Sequence, residues 1–129
     1  MSITLNLEVA NGVSLDEIKA VLASVKCSDI VNTESGFTAK FPETNVSISV
    51  KTNLSDTSVL TEDLEDPNWE VGLRMYFDID PTLSNSLDDV RRFVVNLSAQ
   101  TLFEFALSFQ YETLYARRDL DGLEFSEEF

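Results

Sequence analysis

The chain has 129 residues, of which 43% are hydrophobic and 10% aromatic, which suits one globular domain whose core needs no metal or disulfide staple. Nine basic residues against 23 acidic ones give a net charge of −14, beyond the magnitude of about 2 to 8 that keeps a small domain soluble. Such an excess disfavours nucleic acid and anionic membrane as direct ligands and favours a basic protein partner.

From the amino terminus, Ile3, Leu5, Leu7 and Val9 alternate with Thr4, Asn6 and Glu8, the period of a half-buried strand. With no basic stretch ahead of it, this segment is expected to be neither signal peptide nor anchor. Asn11-Gly12 ends it. Ser14 with Glu17 three residues on forms a capping box, and Ile18, Val21, Leu22 and Val25 follow helical spacing to about Lys26. Short segments 29–32, 36–41 and 46–52 then read as an antiparallel meander; in the last, Val46, Ile48 and Val50 share one face. Residues 53–68 carry five carboxylates and no basic residue, which predicts a long exposed loop with at most one helical turn.

Trp69, Val71, Leu73, Met75, Phe77 and Ile79 alternate with Glu70, Gly72, Arg74, Tyr76 and Asp78, the clearest strand of the chain. Trp69, on its apolar side, is expected in the core. A second helix is predicted from Ser86, with Asp89 in the capping position and a stripe of Leu87, Val90, Phe93, Val94, Leu97, Thr101 and Leu102. Phe105, Leu107, Phe109 and Tyr111 alternate as a further strand that runs on less regularly toward Arg117, and Asp121-Gly122 signals a hairpin into a return strand at 123–125. The order β-α-β-β-β-β-α-β-β predicts a single α+β domain over residues 1–129, an antiparallel or mixed sheet with two helices packed on one face.

Histidine is absent, which removes the commonest general base and transition-metal ligand. The lone cysteine, Cys27, has no partner for an internal disulfide, and its place after a helix end disfavours a thiolate; it reads as an inert thiol in a reducing cytosol. In that compartment the sequons at Asn45, Asn53 and Asn96 are accidents of a polar sequence. Glycines at 12, 36, 72 and 122 are too scattered for a phosphate loop. Asp78 and Asp80, with Asp88 or Asp89, offer oxygen ligands of the kind that hold Mg²⁺ or Ca²⁺, but aspartate is also favoured where a strand ends in a turn before Pro81. Asp119 and Asp121 before Gly122 lack the spacing of a calcium loop and read as a hairpin turn. Neither catalytic residue, metal ligand nor cofactor is assigned.

Carboxylates at Glu62, Asp63, Glu65 and Asp66, with Leu64 and nearby Trp69, make the first candidate for docking a cationic surface. Tyr76, facing away from the apolar row, together with Asp78 and Asp80, extends the candidate partner-binding set. The basic pairs Arg91-Arg92 and Arg117-Arg118 are expected to be satisfied by neighbouring carboxylates.

Finally, Phe109 to Leu123, containing Tyr111, Leu114, Tyr115, the Arg117-Arg118 pair, Asp121 and Gly122, resembles the closing strand and hairpin of small immunity proteins from bacterial toxin–immunity systems, including contact-dependent inhibition. The likeness covers about the last fifth of the chain and carries no functional residue with it. It implies a cytosolic protein that binds a cognate toxin domain, often a basic nuclease, and blocks it. Two other readings stay open at this point: a phage-type inhibitor that mimics DNA with rows of carboxylates, and a non-catalytic subunit or adaptor of a larger assembly.

Overall fold

Ile3–Ala10 forms the first strand, β1, an inner strand of the sheet buried on both faces from Leu5 onward. A computed structural model describes residues 3–64, 67–80, 82, 85–127 and 129. β1 is followed by α1 (Leu15–Ser24), β2 (Ser28–Asn32), β3 (Gly36–Lys40), β4 (Ser47–Lys51), β5 (Val71–Ile79), α2 (Ser86–Gln100), β6 (Phe105–Phe109), β7 (Thr113–Asp119) and β8 (Gly122–Phe125). The eight strands form one sheet in the order β2-β3-β4-β5-β1-β6-β7-β8, and every neighbouring pair is antiparallel. The expected α+β class with two helices on one face is therefore the observed one.

Register decides which side chain meets which layer. Leu5, Leu7 and Val9 of β1 stand opposite Phe77, Met75 and Leu73 of β5, and all six are buried in one cluster with Ile18, Val21 and Leu22 of α1 and Val90, Phe93, Val94 and Leu97 of α2. Phe77 and Phe93 cross this interface with ring centroids 5.7 Å apart.

α1 begins as its sequence predicts: Ser14 Oγ accepts from the Glu17 amide at 3.1 Å, and the Glu17 carboxylate accepts from the Ser14 amide at 3.0 Å. It ends at Val25, with the Lys26 and Cys27 amides returning to the Ala23 and Leu22 carbonyls. Lys26 takes a positive φ of 62°, the left-handed cap that more often falls to glycine.

Three expectations at element ends need correction. The strand foreseen from Phe105 through Arg117 is two strands, because Gln110 and Tyr111 take φ values of 52° and 65° and the Glu112 amide closes a turn onto the Phe109 carbonyl. α2 has Asn85 at its cap, Ser86 being its first helical residue. The Asp89 carboxylate instead accepts from the Thr44 hydroxyl at 2.5 Å and from the Arg92 guanidinium at 2.6 Å. Trp69 precedes β5 and is only half-buried. The strand cannot carry its alternation back that far, because Val9 pairs with Leu73 and Ala10 with Val71, leaving Gly72 as a bulge. A Cβ at Gly72 would lie 2.5 Å from Asn11 Cα, so only glycine fits there.

Among the described residues no helix is long and apolar enough to cross a membrane.

Candidate functional site

The face of the sheet turned away from the helices carries Asn6 and Glu8 of β1, Arg74, Tyr76 and Asp78 of β5, and Ala106 and Ser108 of β6 in register. Isolated strands of this pattern would leave the row in water. Here Glu8 is fully buried and Arg74 5% exposed, because the segment joining β4 to β5 crosses this face. That segment is the exposed loop its composition predicts, with Asp56, Thr57, Ser58, Leu60, Glu62 and Asp63 exposed, but its backbone is tied down.

The tie is a carboxylate. Glu8 accepts from the Leu60 amide at 2.9 Å, the Thr61 amide at 3.0 Å and the Thr61 hydroxyl at 2.6 Å. Arg74 joins it through Nη2 at 3.2 Å and Nε at 3.3 Å. The same guanidinium donates to the Asp56 carbonyl at 2.6 Å and the Ser58 carbonyl at 2.7 Å. One buried ion pair thus supplies acceptors and donors to backbone groups at four positions between Asp56 and Thr61. Removing either partner would strand the other's charge in the interior, the condition under which a buried pair is most needed.

Beyond Thr61 the segment stays attached. The Glu62 amide donates to the Tyr111 carbonyl at 2.7 Å, and the Leu114 amide donates to the Asp63 carboxylate at 3.1 Å. The hydroxyls of Tyr111 and Tyr76 lie 3.5 Å apart, and burial, with this hydroxyl contact second, pushes the Tyr111 phenol well above its ordinary value. Lys51 Nζ sits 5.6 Å from the Tyr76 ring centroid, within cation–π range. The segment's outer turn at Asp56 is closed locally, the Ser58 hydroxyl and amide holding the Asp56 carboxylate below its usual range.

The candidate residues therefore fall in different places. Glu62 and Asp63 are exposed on the docked segment, and Tyr76 is half-buried beside it, linked through Tyr111. Asp78 is exposed farther along the same sheet face and accepts from the Thr4 hydroxyl at 2.8 Å. Asp80 lies past the strand rather than projecting with Asp78. Its carboxylate is turned onto the Thr82 hydroxyl and amide at 2.7 and 2.9 Å, which depresses its pKa. Glu65 and Asp66 lie outside the described residues. Sequence reasoning missed Glu8 and Arg74 altogether; the available signal was the lone charge of β1, Glu8, and an opposite charge, Arg74, inside the well-patterned β5.

The carboxylates weighed as metal ligands do not converge. Asp88 pairs with Arg91 at 3.1 Å, Asp89 is buried against Thr44 and Arg92, and among the described residues no three His, Cys, Asp or Glu side chains are placed to share an ion. The Asp119 carboxylate accepts from the Asp121 and Gly122 amides at 2.8 and 3.2 Å, a hairpin turn. Burial pushes the half-buried Cys27 thiol up, away from nucleophilic reactivity near neutral pH. Of the two basic pairs, Arg91, Arg92 and Arg117 have carboxylate partners. Arg118 departs from expectation, donating to Ser98 Oγ and to the Leu102 and Asp119 carbonyls.

By architecture this is an antiparallel sheet with a helical layer on one face and an acidic strap on the other. Comparison with protein families, curated proteins and solved structures finds no match.

Proposed function

We propose that the protein is a non-catalytic inhibitor of the immunity type, which binds a basic toxin domain, a nuclease being the leading candidate, and covers its active surface in the cytosol. The observation that carries this reading is the strap: exposed Glu62 and Asp63 stand on a backbone held by Glu8 and Arg74. Carboxylates on a fixed backbone lose less conformational freedom on binding than carboxylates on a free loop. The net charge of −14 adds long-range attraction for a cationic partner. Tyr76 and Asp78 extend the docking face beyond the strap, and Asp80 contributes at its margin.

The test is capture of a partner at low salt, followed by association kinetics. The captured domain is expected to be basic and to lose its activity in the complex. Its association rate should fall about tenfold or more between about 0.01 M and 0.15 M ionic strength, where the Debye length shrinks from about 30 to about 8 Å. An acidic partner, or a rate indifferent to salt, contradicts the proposal.

A further inference from the structure

Among the described residues, most of the large apolar side chains left exposed gather where α2 overhangs the last strand of the sheet: Val95, Leu102, Leu120 and Phe125. One face of α2 is pinned there at two points. Arg91 donates to the Phe129 carbonyl and lies over the Phe129 ring, its guanidinium carbon 4.5 Å from the centroid, and Ser98 Oγ accepts from Arg118 Nε at 3.2 Å. Val95 stands between Arg91 and Ser98 at helical spacing and shares their face, yet it is 44% exposed. Opposite it, Leu123 and Phe125 of β8 pair with Arg118 and Ala116, which pair in turn with Phe105 and Leu107 of the core, so both point to the helical side of the sheet. Arg118 Nη1 holds the Leu102 and Asp119 carbonyls at 3.2 Å each, which sets Leu102 and Leu120 at one end of this apolar strip.

The backbone along the strip is open. The Ser126 amide donates to the Tyr115 carbonyl at 2.9 Å, so the bonded pairs of the β7–β8 ladder are Tyr115–Ser126, Arg117–Glu124 and Asp119–Gly122, and the amides and carbonyls of Leu123 and Phe125 turn away from β7. β8 is the last strand and keeps its register throughout. The opposite edge differs: β2 shifts register between Ser28 and Val31, where Asp29 takes a φ of 57°, a bulge that blocks regular pairing.

Charge decides the occupant. Residues 119–129 contain no basic residue, and Asp121, Glu124 and Glu127 are exposed along this edge. Arg117 answers Glu124 at 3.2 Å; among the described residues neither Asp121 nor Glu127 has an ion-pair partner. A second copy pairing edge to edge about a two-fold axis would bring these carboxylates together, which is repulsive. Asp63 of the strap is tied to Leu114 of β7, the neighbour of β8, so the edge adjoins the carboxylates of the docking face.

We propose that the open edge of β8, beneath the flank of α2, takes an extended segment of the basic partner as a ninth strand. The inference rests on the binding reading above and gives it a geometry. The segment runs antiparallel to β8, as every pair in this sheet does. Residues whose backbone bonds Leu123 and Phe125 turn their side chains to the helical side, where apolar ones cover Phe125 and Val95; the alternate residues turn the other way, where basic ones meet Glu124, Asp121 and Glu127.

The probe is an acetylated, amidated hexapeptide of alternating lysine and valine, titrated against the full chain. At saturation the Leu123 and Phe125 amides should exchange at least about tenfold more slowly than in the free chain, with the Leu60 amide unchanged. Affinity should fall about fivefold in Val95→Ser. It should fall about tenfold when the valines of the peptide are N-methylated but not when the lysines are, because only the valine amides meet β8. Glutamate in place of lysine should abolish binding. Ile30→Ser, on the β2 edge, should bind as the parent does, and far-UV circular dichroism checks that both variants fold. The edge site is overturned by no saturable binding, by protection gained at Ile30 and Val31 instead, by equal weakening from either N-methylation, by an unaltered Val95→Ser, by binding of the glutamate peptide, or by a dimer of the chain alone in which Leu123 and Phe125 are already protected. Failure of the inhibitor reading shows separately, as an acidic partner or salt-indifferent association whatever the peptide does.

Discussion

The two faces of this sheet are covered by different physics. Toward the helices, β1 and β5 present Leu5, Leu7, Val9, Leu73, Met75 and Phe77, all buried against α1 and α2, so that layer is held by removing apolar area from water. Toward the strap, the same strands present Glu8 and Arg74, and the cover is held by hydrogen bonds to a buried ion pair. An apolar interface tolerates small shifts because it is non-directional. A carboxylate that must meet two amides, a hydroxyl and a guanidinium fixes the strap in one register. The helical face therefore supplies stability, and the strap face supplies a defined position for carboxylates.

Truncation on each face should break the molecule differently. Phe93→Ala, on the helical side, is expected to cost about 3–5 kcal/mol in denaturant unfolding, with amide protection falling throughout the sheet. Glu8→Ala should cost a similar amount, about 3–5 kcal/mol, because Arg74 is left buried without a counter-charge. Its signature is local as well as global, with the Leu60 and Thr61 amides losing protection first. Replacing both partners, as in Glu8→Leu with Arg74→Met, sharpens the contrast: stability should recover to within about 2 kcal/mol of the parent, yet the strap should remain loose. Recovery of strap protection in that double variant would show that the ion pair is not what docks it.

Smaller effects test the details. Thr61→Val removes the 2.6 Å hydroxyl bond to Glu8 and should cost about 1.5–3 kcal/mol, the range for a hydrogen bond to a charged group. On the helical side, Ser14→Ala deletes one half of the capping box and should cost about 1 kcal/mol, with strap protection untouched. The smallest effect is in acid. Asp56 and Asp80 have depressed pKa values, chiefly through the Ser58 and Thr82 hydroxyls. Their contribution is thus present above the unfolded carboxylate pKa of about 3.9 and is lost as pH falls through the lower folded values. Denaturant midpoints should decline below about pH 4, and the decline should be shallower in Asp80→Asn.

The same division explains how much could be read from sequence. The helical face was legible because its signals are local and periodic: alternation in β1, β4 and β5, the Ser14–Glu17 box, and the stripe on α2 from Leu87 to Leu97; only Leu102, expected to join that stripe, lies past the helix end and is exposed. The turn at Gln110 and Tyr111 was not, since both residues adopt a left-handed φ without the glycine or asparagine that usually marks it. Trp69 was misplaced because the bulge at Gly72 interrupts an alternation that sequence alone extends. The strap is legible as an exposed loop, but not how its backbone is held: by Glu8, more than 50 residues away in sequence from Leu60 and Thr61, and by Arg74, meeting Glu8 across a register that periodicity does not reveal. Of the candidate partner-binding residues, Glu62 and Asp63 are legible from charge density alone.

The acidic segment is latched to the sheet, not loose. Hydrogen–deuterium exchange on the unmodified protein at neutral pH measures this directly, residue by residue, at Leu60 and Thr61. Both amides, donating to the Glu8 carboxylate at 2.9 and 3.0 Å, are expected to exchange at least about a hundredfold more slowly than an unstructured chain. Exchange of both at the unstructured rate would contradict the latch.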